Sequence, residues 1–153
     1  MRKKLPGTGV KILLLILIHF HFTEQIQAQA GGAGPGNSFT IENYYKVKWG
    51  YADEFIALWK KNHYPLLKKA KEKGDIINVT AEKPIYHSGE DTRWDFKVTI
   101  VFKSVDNAVD PDLTTPYKKL LYPDLDQLNK DEQHRFELLL AHWDIMVVNV
   151  PLD

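Results

Sequence analysis

The sequence predicts an α+β domain with the element order β-α-β-β-α-β. Three observations predict it. Apolar residues alternate with a period of two over 39–49. They then recur every three to four residues over 52–73, up to a glycine. The period-two pattern returns at 76–86, 93–102 and 143–150, with another helical stretch before the last of these.

The first strand, "FTIENYYKVKW", places Phe39, Ile41, Asn43, Tyr45, Val47 and Trp49 on one face and Thr40, Glu42, Tyr44, Lys46 and Lys48 on the other. Asn43 is the one polar residue on the apolar face. Gly50 breaks the strand. In the helix over 52–73, Phe55, Trp59, Leu66 and Ala70 form the apolar arc and Gly74 is the stop. At about 100° per residue His63 falls inside that arc, while Lys60, Lys61, Lys68 and Lys71 point away. Pro65 interrupts this helix. Its ring and missing N–H set a cost of about 3 kcal/mol on a straight helix, so a bend is expected, either purely structural or one that aims His63 at a cavity.

The second strand is expected over 76–86, with Pro84 marking an edge or bulge, and "HSGED" as the turn after it. In the third strand Trp94, Phe96, Val98, Ile100 and Phe102 alternate with Arg93, Asp95, Lys97 and Thr99. "SVDNAVDPD" reads as a loop or a short helical turn. Thr115-Pro116 reads as the N-cap and first residue of a short extra helix to about Tyr122. Asn129 and Glu132 resemble a capping box for a last helix to about His142, with Phe136, Leu139 and Leu140 on its buried side. The final strand, "WDIMVVNV", is apolar on both faces and is expected inside the sheet.

The chain is 153 residues long, with 20 basic and 20 acidic side chains. A basic start, the apolar run 10–22 and an Ala-Gln-Ala ending at Ala30 have the order of a secretory signal, expected over 1–30. The alternative, a membrane anchor, would take about 20 apolar residues, more than this run supplies. Residues 31–38, "GGAGPGNS", read as a flexible leader, and 39–153 as the domain. Without 1–30 the chain keeps 16 basic and 19 acidic residues, a net charge of −3. That lacks the basic balance of a nucleic-acid binder, and no membrane contact is expected after signal cleavage. There is no cysteine, so packing rather than disulfides must hold the domain. The sequon Asn78-Val79-Thr80 is read as chance, and the protein as periplasmic or secreted.

The element order is that of the ferredoxin-like arrangement: four antiparallel strands with the helices on one face. The other face of the sheet then needs a cover, and a second copy of the chain is the simplest one. With these features in place, the chain resembles the dimeric α/β-barrel superfamily, which includes the antibiotic-biosynthesis monooxygenase-like domains. The stretches that carry the resemblance are "FTIENYYKVKWG", "ADEFIALWKKNHYPLLKKAKEKG", "RWDFKVTIVFKS" and "HWDIMVVNV", covering roughly residues 39 to 150. The resemblance implies a homodimer whose two sheets face each other to form a barrel. It also implies that some members hold haem, a polyketide or another small molecule, while many have no assigned activity. The stretch 110–130 is long for the second crossover and departs from the pattern.

Chemical motifs are sparse. His63, His87, His134 and His142 form no metal-binding spacing, and His134 and His142 are two helical turns apart, so neither a metal nor a cofactor is expected. No nucleophile elbow, phosphate loop or dinucleotide fingerprint is present. Asn43 and His63 are the polar groups that fall on apolar faces, where each needs a partner, and they are expected to satisfy one another or backbone groups in the core, or to orient or deprotonate a substrate. Trp59, Trp94 and Tyr45 are the candidate ligand-contacting wall. The haem-degrading branch of the family pairs an Asn on the first strand with a Trp on the third, as Asn43 and Trp94 would, but it also needs a His in the helix after the third strand. "SVDNAVDPD" has none, which disfavours haem degradation. Asp95 and Asp144, each next to a Trp, are expected at a surface or dimer interface, paired with Arg93 or Lys97. The expected function is an exported domain of unassigned activity that binds a small apolar or aromatic molecule in a pocket between sheet and helices, or a cofactor-free monooxygenase-like enzyme. The alternative is a non-enzymatic homodimeric structural or interaction module.

Overall fold

The computed structural model describes residues 38–148, 150 and 152. The expected signal segment, 1–30, and all but the last residue of the expected leader lie outside them. The elements are β1 (Phe39–Val47), α1 (Ala52–Leu58), a π-helical turn (Trp59–His63), α2 (Tyr64–Lys73), β2 (Ile76–Glu82), β3 (Phe96–Phe102), α3 (Val105–Val109), α4 (Thr115–Leu121), α5 (Leu125–Glu137) and β4 (Leu139–Val147). The four strands form one antiparallel sheet in the order β2-β3-β1-β4, and the helices pack on one face. This is the ferredoxin-like arrangement expected from the sequence, with the extra short helix present as α4.

The core is the alternating set read from the sequence. Tyr45 and Val47 of β1 and Phe96, Val98, Ile100 and Phe102 of β3 meet Phe55, Trp59, Leu67 and Ala70 of the helices. In β1–β3 Tyr45 lies opposite Phe96 and Asn43 opposite Val98, so one apolar face is continuous across both central strands. Gly74, at φ 85°, ends α2: its own N–H donates to Lys71 and that of Asp75 to Ala70, the paired closure that a left-handed residue permits.

Several boundaries differ from expectation, each for a local reason. β2 ends at Glu82, before Pro84, which cannot extend the ladder. β3 begins at Phe96 because Asp95 is a bend, so alternation fails there. Trp94 lands edge-on against Tyr44, on the sheet face opposite Phe96. α5 begins three residues after Tyr122, capped by Asp124, whose carboxylate accepts the Gln127 N–H; Asn129 and Glu132 are inside the helix rather than at its start. It ends at Glu137, and the residues expected to be its buried end form β4 instead, with Leu138 buried while Phe136 and Leu140 are exposed. His142 is therefore on a strand. β4 pairs with β1 alone and is an edge, not an interior strand.

The uncovered sheet face holds large apolar side chains beside charged ones: Ile145, opposite Glu42, and Val101, opposite Thr40, lie on it. The open face carries Tyr44, stacked on Trp143 at 5.5 Å and edge-on to Trp94 at 5.8 Å. Beside them Lys97 bridges Glu82 at 2.5 Å and Glu42 at 3.7 Å.

Candidate functional site

The site grows out of the stretch "KKNHYPLLKK". Pro65 has no N–H, so the Lys61 carbonyl loses its α-helical partner. The chain absorbs this with one wider turn, in which the Tyr64 N–H donates to Trp59 O, five residues back. The extra residue rotates the end of that turn inward. Asn62 is 2% exposed, and its amide donates to Asp131 Oδ2 at 3.1 Å. Asp131 also accepts from Lys61 Nζ at 2.6 Å and Gln127 at 2.8 Å; led by the Lys61 contact, these partners hold its carboxyl down at about 2.

The carbonyls opened by the proline are met from the second crossover. The Tyr122 hydroxyl lies 2.8 Å from Asn62 O and 3.2 Å from Lys61 O, one donor shared between two acceptors. Burial raises its pKa. The long 110–130 stretch thus supplies the hydroxyl that the proline makes necessary. Tyr122→Phe should lower unfolding stability by about 1–2 kcal/mol in a urea titration, because the acceptors stay half-buried and lose their donor. An unchanged midpoint would show that water replaces it.

His63, the last residue of the wide turn, opens on a cavity of about 200 Å³ between α2, α4 and α5. Its ring makes no hydrogen bond among the described residues. Burial, followed by the neighbouring positive charge of Arg135, pushes its pKa down to about 4, so the imidazole is neutral at pH 7. Leu66, Leu128 and Phe136 form the apolar wall, and Lys118, Glu132 and Arg135 the charged one. Arg135 is 4% exposed; it donates to Glu132 through Nη2 at 2.7 Å and Nε at 3.3 Å, with its guanidinium 4.6 Å from the Phe136 ring. A neutral hydrogen-bonding ring, a buried cation and an apolar wall face one space. That arrangement can orient a small polar-headed molecule.

The other expected site residues do not converge on this space. Asn43 donates to Val98 O at 3.1 Å and makes no bond to His63, because cross-strand geometry satisfies it within the sheet. Tyr45 is buried in the core, stacked on His142 at 4.5 Å, and burial pushes its hydroxyl up to about 12. Trp59 is buried against Phe96 at 5.2 Å, and its outer edge lines a separate hollow of about 280 Å³ with Tyr64 and Val79. The Trp59 indole N–H lies toward the Tyr45 hydroxyl but makes no hydrogen bond of normal geometry among the described residues. Trp94 is on the opposite face of the sheet. Asp144 pairs with His142 at 3.1 Å rather than with Arg93 or Lys97, whereas Asp95 does pair with Arg93, inside the fold. Sequence reasoning missed Lys118, Glu132 and Arg135. On a helical wheel they read as ordinary solvated charges, and no local pattern distinguishes them.

A larger hollow of about 500 Å³ lies between the turn after β1 and the β2–β3 loop, lined in part by Trp49, Lys83, His87 and Asp95. It is an open groove in which most of the polar groups are already engaged: Trp49 donates to Glu90, Lys83 to Asp53, and Asp95 receives Arg93. The smaller His63 cavity, with unengaged polar groups, is the better candidate. Among the described residues no group of three or more His, Asp or Glu side chains is placed to hold a metal ion.

No family model matches the sequence, and no curated protein matches it. Solved structures do. A dimeric ferredoxin-like protein from an uncultured marine organism superposes with a TM-score of 0.50 at 7% identity, over 76% of this chain and 93% of that one. A protein from Bordetella bronchiseptica, named for antibiotic biosynthesis monooxygenases, gives 0.49 at 14% identity, over 75% and 99%. A NIPSNAP family protein from Agrobacterium tumefaciens gives 0.48 at 10% identity, over 80% and 94%. The first shares the fold, and at that identity the likeness is of fold alone; the other two carry no further argument. The fold of the marine protein is the ferredoxin-like one that the sequence resemblance implied.

Proposed function

We propose that this chain is an exported, homodimeric domain that binds a small molecule in the cavity beside His63. The observation that supports this most is the junction of a neutral, unpartnered imidazole and a buried arginine on one apolar-walled space. At about 200 Å³ the space is below the roughly 300–1,000 Å³ of drug-sized sites, so the ligand is small. The enzyme reading, cofactor-free oxygenation, would use the same imidazole to take a proton from the substrate. The binding reading needs only its lone pair. Thermal unfolding with a panel of small acids, phenols and amides tests the proposal. A member that raises the melting temperature should lose its effect in His63→Ala. A panel with no effect on the melting temperature or on the amide signals of the cavity residues overturns it.

The homodimer rests on the open sheet face. Tyr44, Trp94 and Trp143 cluster there, and the fold neighbour from the marine organism is described as dimeric. Light scattering on the domain at micromolar concentration should give twice the chain mass, and Trp143→Glu should return the monomer. A monomer before mutation removes the barrel. Export rests on the signal pattern, with cleavage expected after Ala30. The intact mass of the exported protein checks it, and retention of the apolar run would make the protein an anchored one.

A further inference from the structure

We propose that the His63 cavity selects a small carboxylate with a compact apolar body, its acid group held between Arg135 and Lys118. The inference rests on the reading of this cavity as a ligand site and specifies what enters it.

The charge count is the first reason. Two cations, Arg135 and Lys118, and one carboxylate, Glu132, line the space. Glu132 already occupies Nε and Nη2 of Arg135, but Nη1 has no partner among the described residues. Lys118 likewise makes no ion pair or hydrogen bond there, although it is close enough to lower the His63 pKa. The unmatched charge is therefore one positive unit, spread over an Nη1 fork and an ammonium. A guanidinium in a nearly water-free setting gains most from a planar carboxylate, which it can meet with parallel N–H donors.

The wall is the second reason. Leu66, Leu128 and Phe136 offer only apolar surface, and the Phe136 ring already carries the Arg135 guanidinium on its face. A flat hydrocarbon body would continue that stack. A long chain or a phosphorylated sugar exceeds the volume or leaves the wall unused. His63 adds a directional test of its own: neutral and unpartnered, it accepts a hydrogen bond from a hydroxyl on the ligand. An anion beside the ring would also raise the imidazole pKa, so uptake should strengthen as the pH falls toward 5.

Benzoate and benzyl alcohol, which share a ring and differ in charge, make the test. Each is titrated into the domain at low salt by calorimetry and by amide NMR. Benzoate should bind, with shifts at His63, Lys118 and Arg135, at least about tenfold more tightly than benzyl alcohol. Lys118→Glu reverses an exposed charge that has no structural partner, so the fold should survive; the variant should bind benzoate about tenfold or more weakly at an unchanged melting temperature. Equal binding of the two probes, or full benzoate affinity in Lys118→Glu, overturns the carboxylate assignment and leaves the cavity as a neutral-ligand site. If neither probe moves the cavity signals, and the wider panel above moves none either, the ligand-site reading fails with it.

Discussion

Replacing Arg93 by methionine should lower the unfolding free energy by about 3–5 kcal/mol, measured as a shift of the denaturation midpoint. The side chain is fully buried. It donates to Val47 O at 3.0 Å and to Glu90 at 2.8 Å, pairs with Asp95, and lies 4.0 Å from the centre of the Trp49 ring. Asp95 in turn accepts the Val47 N–H at 2.8 Å, closing the end of β1 where the ladder to β3 stops. Methionine fills most of the volume but strands the nearly buried Asp95 carboxylate without its cation, and that lone charge is the main cost. Arg93→Met with Asp95→Asn should recover a large part of the loss. Failure to recover would place the cost in packing under Trp49 instead.

Stability should fall by about 2–3 kcal/mol as the pH is lowered from 6.5 to 4, through His63. The folded-state pKa, about 4, lies below the ordinary value of 6.5. In that window the unfolded chain takes up a proton that the folded chain refuses, so the stabilisation is complete above pH 6.5 and is lost as the pH falls toward 4. Because the ring is only half-buried, the lower end of the range is expected. The charges that face it are Arg135, Glu132, Lys118 and His142. His63→Gln should flatten the slope between pH 4 and 6.5. His134 acts in the opposite sense, since Glu54 raises its pKa, but it is fully exposed and adds little. An NMR titration of the His63 ring gives the pKa directly; a value near 6.5 would end both the pH prediction and the picture of a neutral imidazole in the cavity.

What the sequence determined by itself was periodicity. Alternation over Phe39–Val47 and Phe96–Phe102, the helical arc through Phe55 and Trp59, and the stop at Gly74 all appear in the structure, because each depends on residues within a few positions of one another. From that order the antiparallel sheet with helices on one face followed. Where the same residues suit both a helix and a strand, as in "RFELLLAHW", the local pattern had no basis for choosing. Pairing with β1 decided it, from Leu139 onward. The proline could be read as a bend. That the bend would be a wide turn, that Tyr122 would cap its carbonyls from some sixty residues away, and that Asn62 rather than Asn43 would be the deeply buried amide, depended on how the second crossover packs. The same holds for the cavity. Lys118, Glu132 and Arg135 look like unrelated solvent-facing charges until α4 and α5 close beside His63, and only tertiary packing brings the three to one space and takes Arg135 out of water.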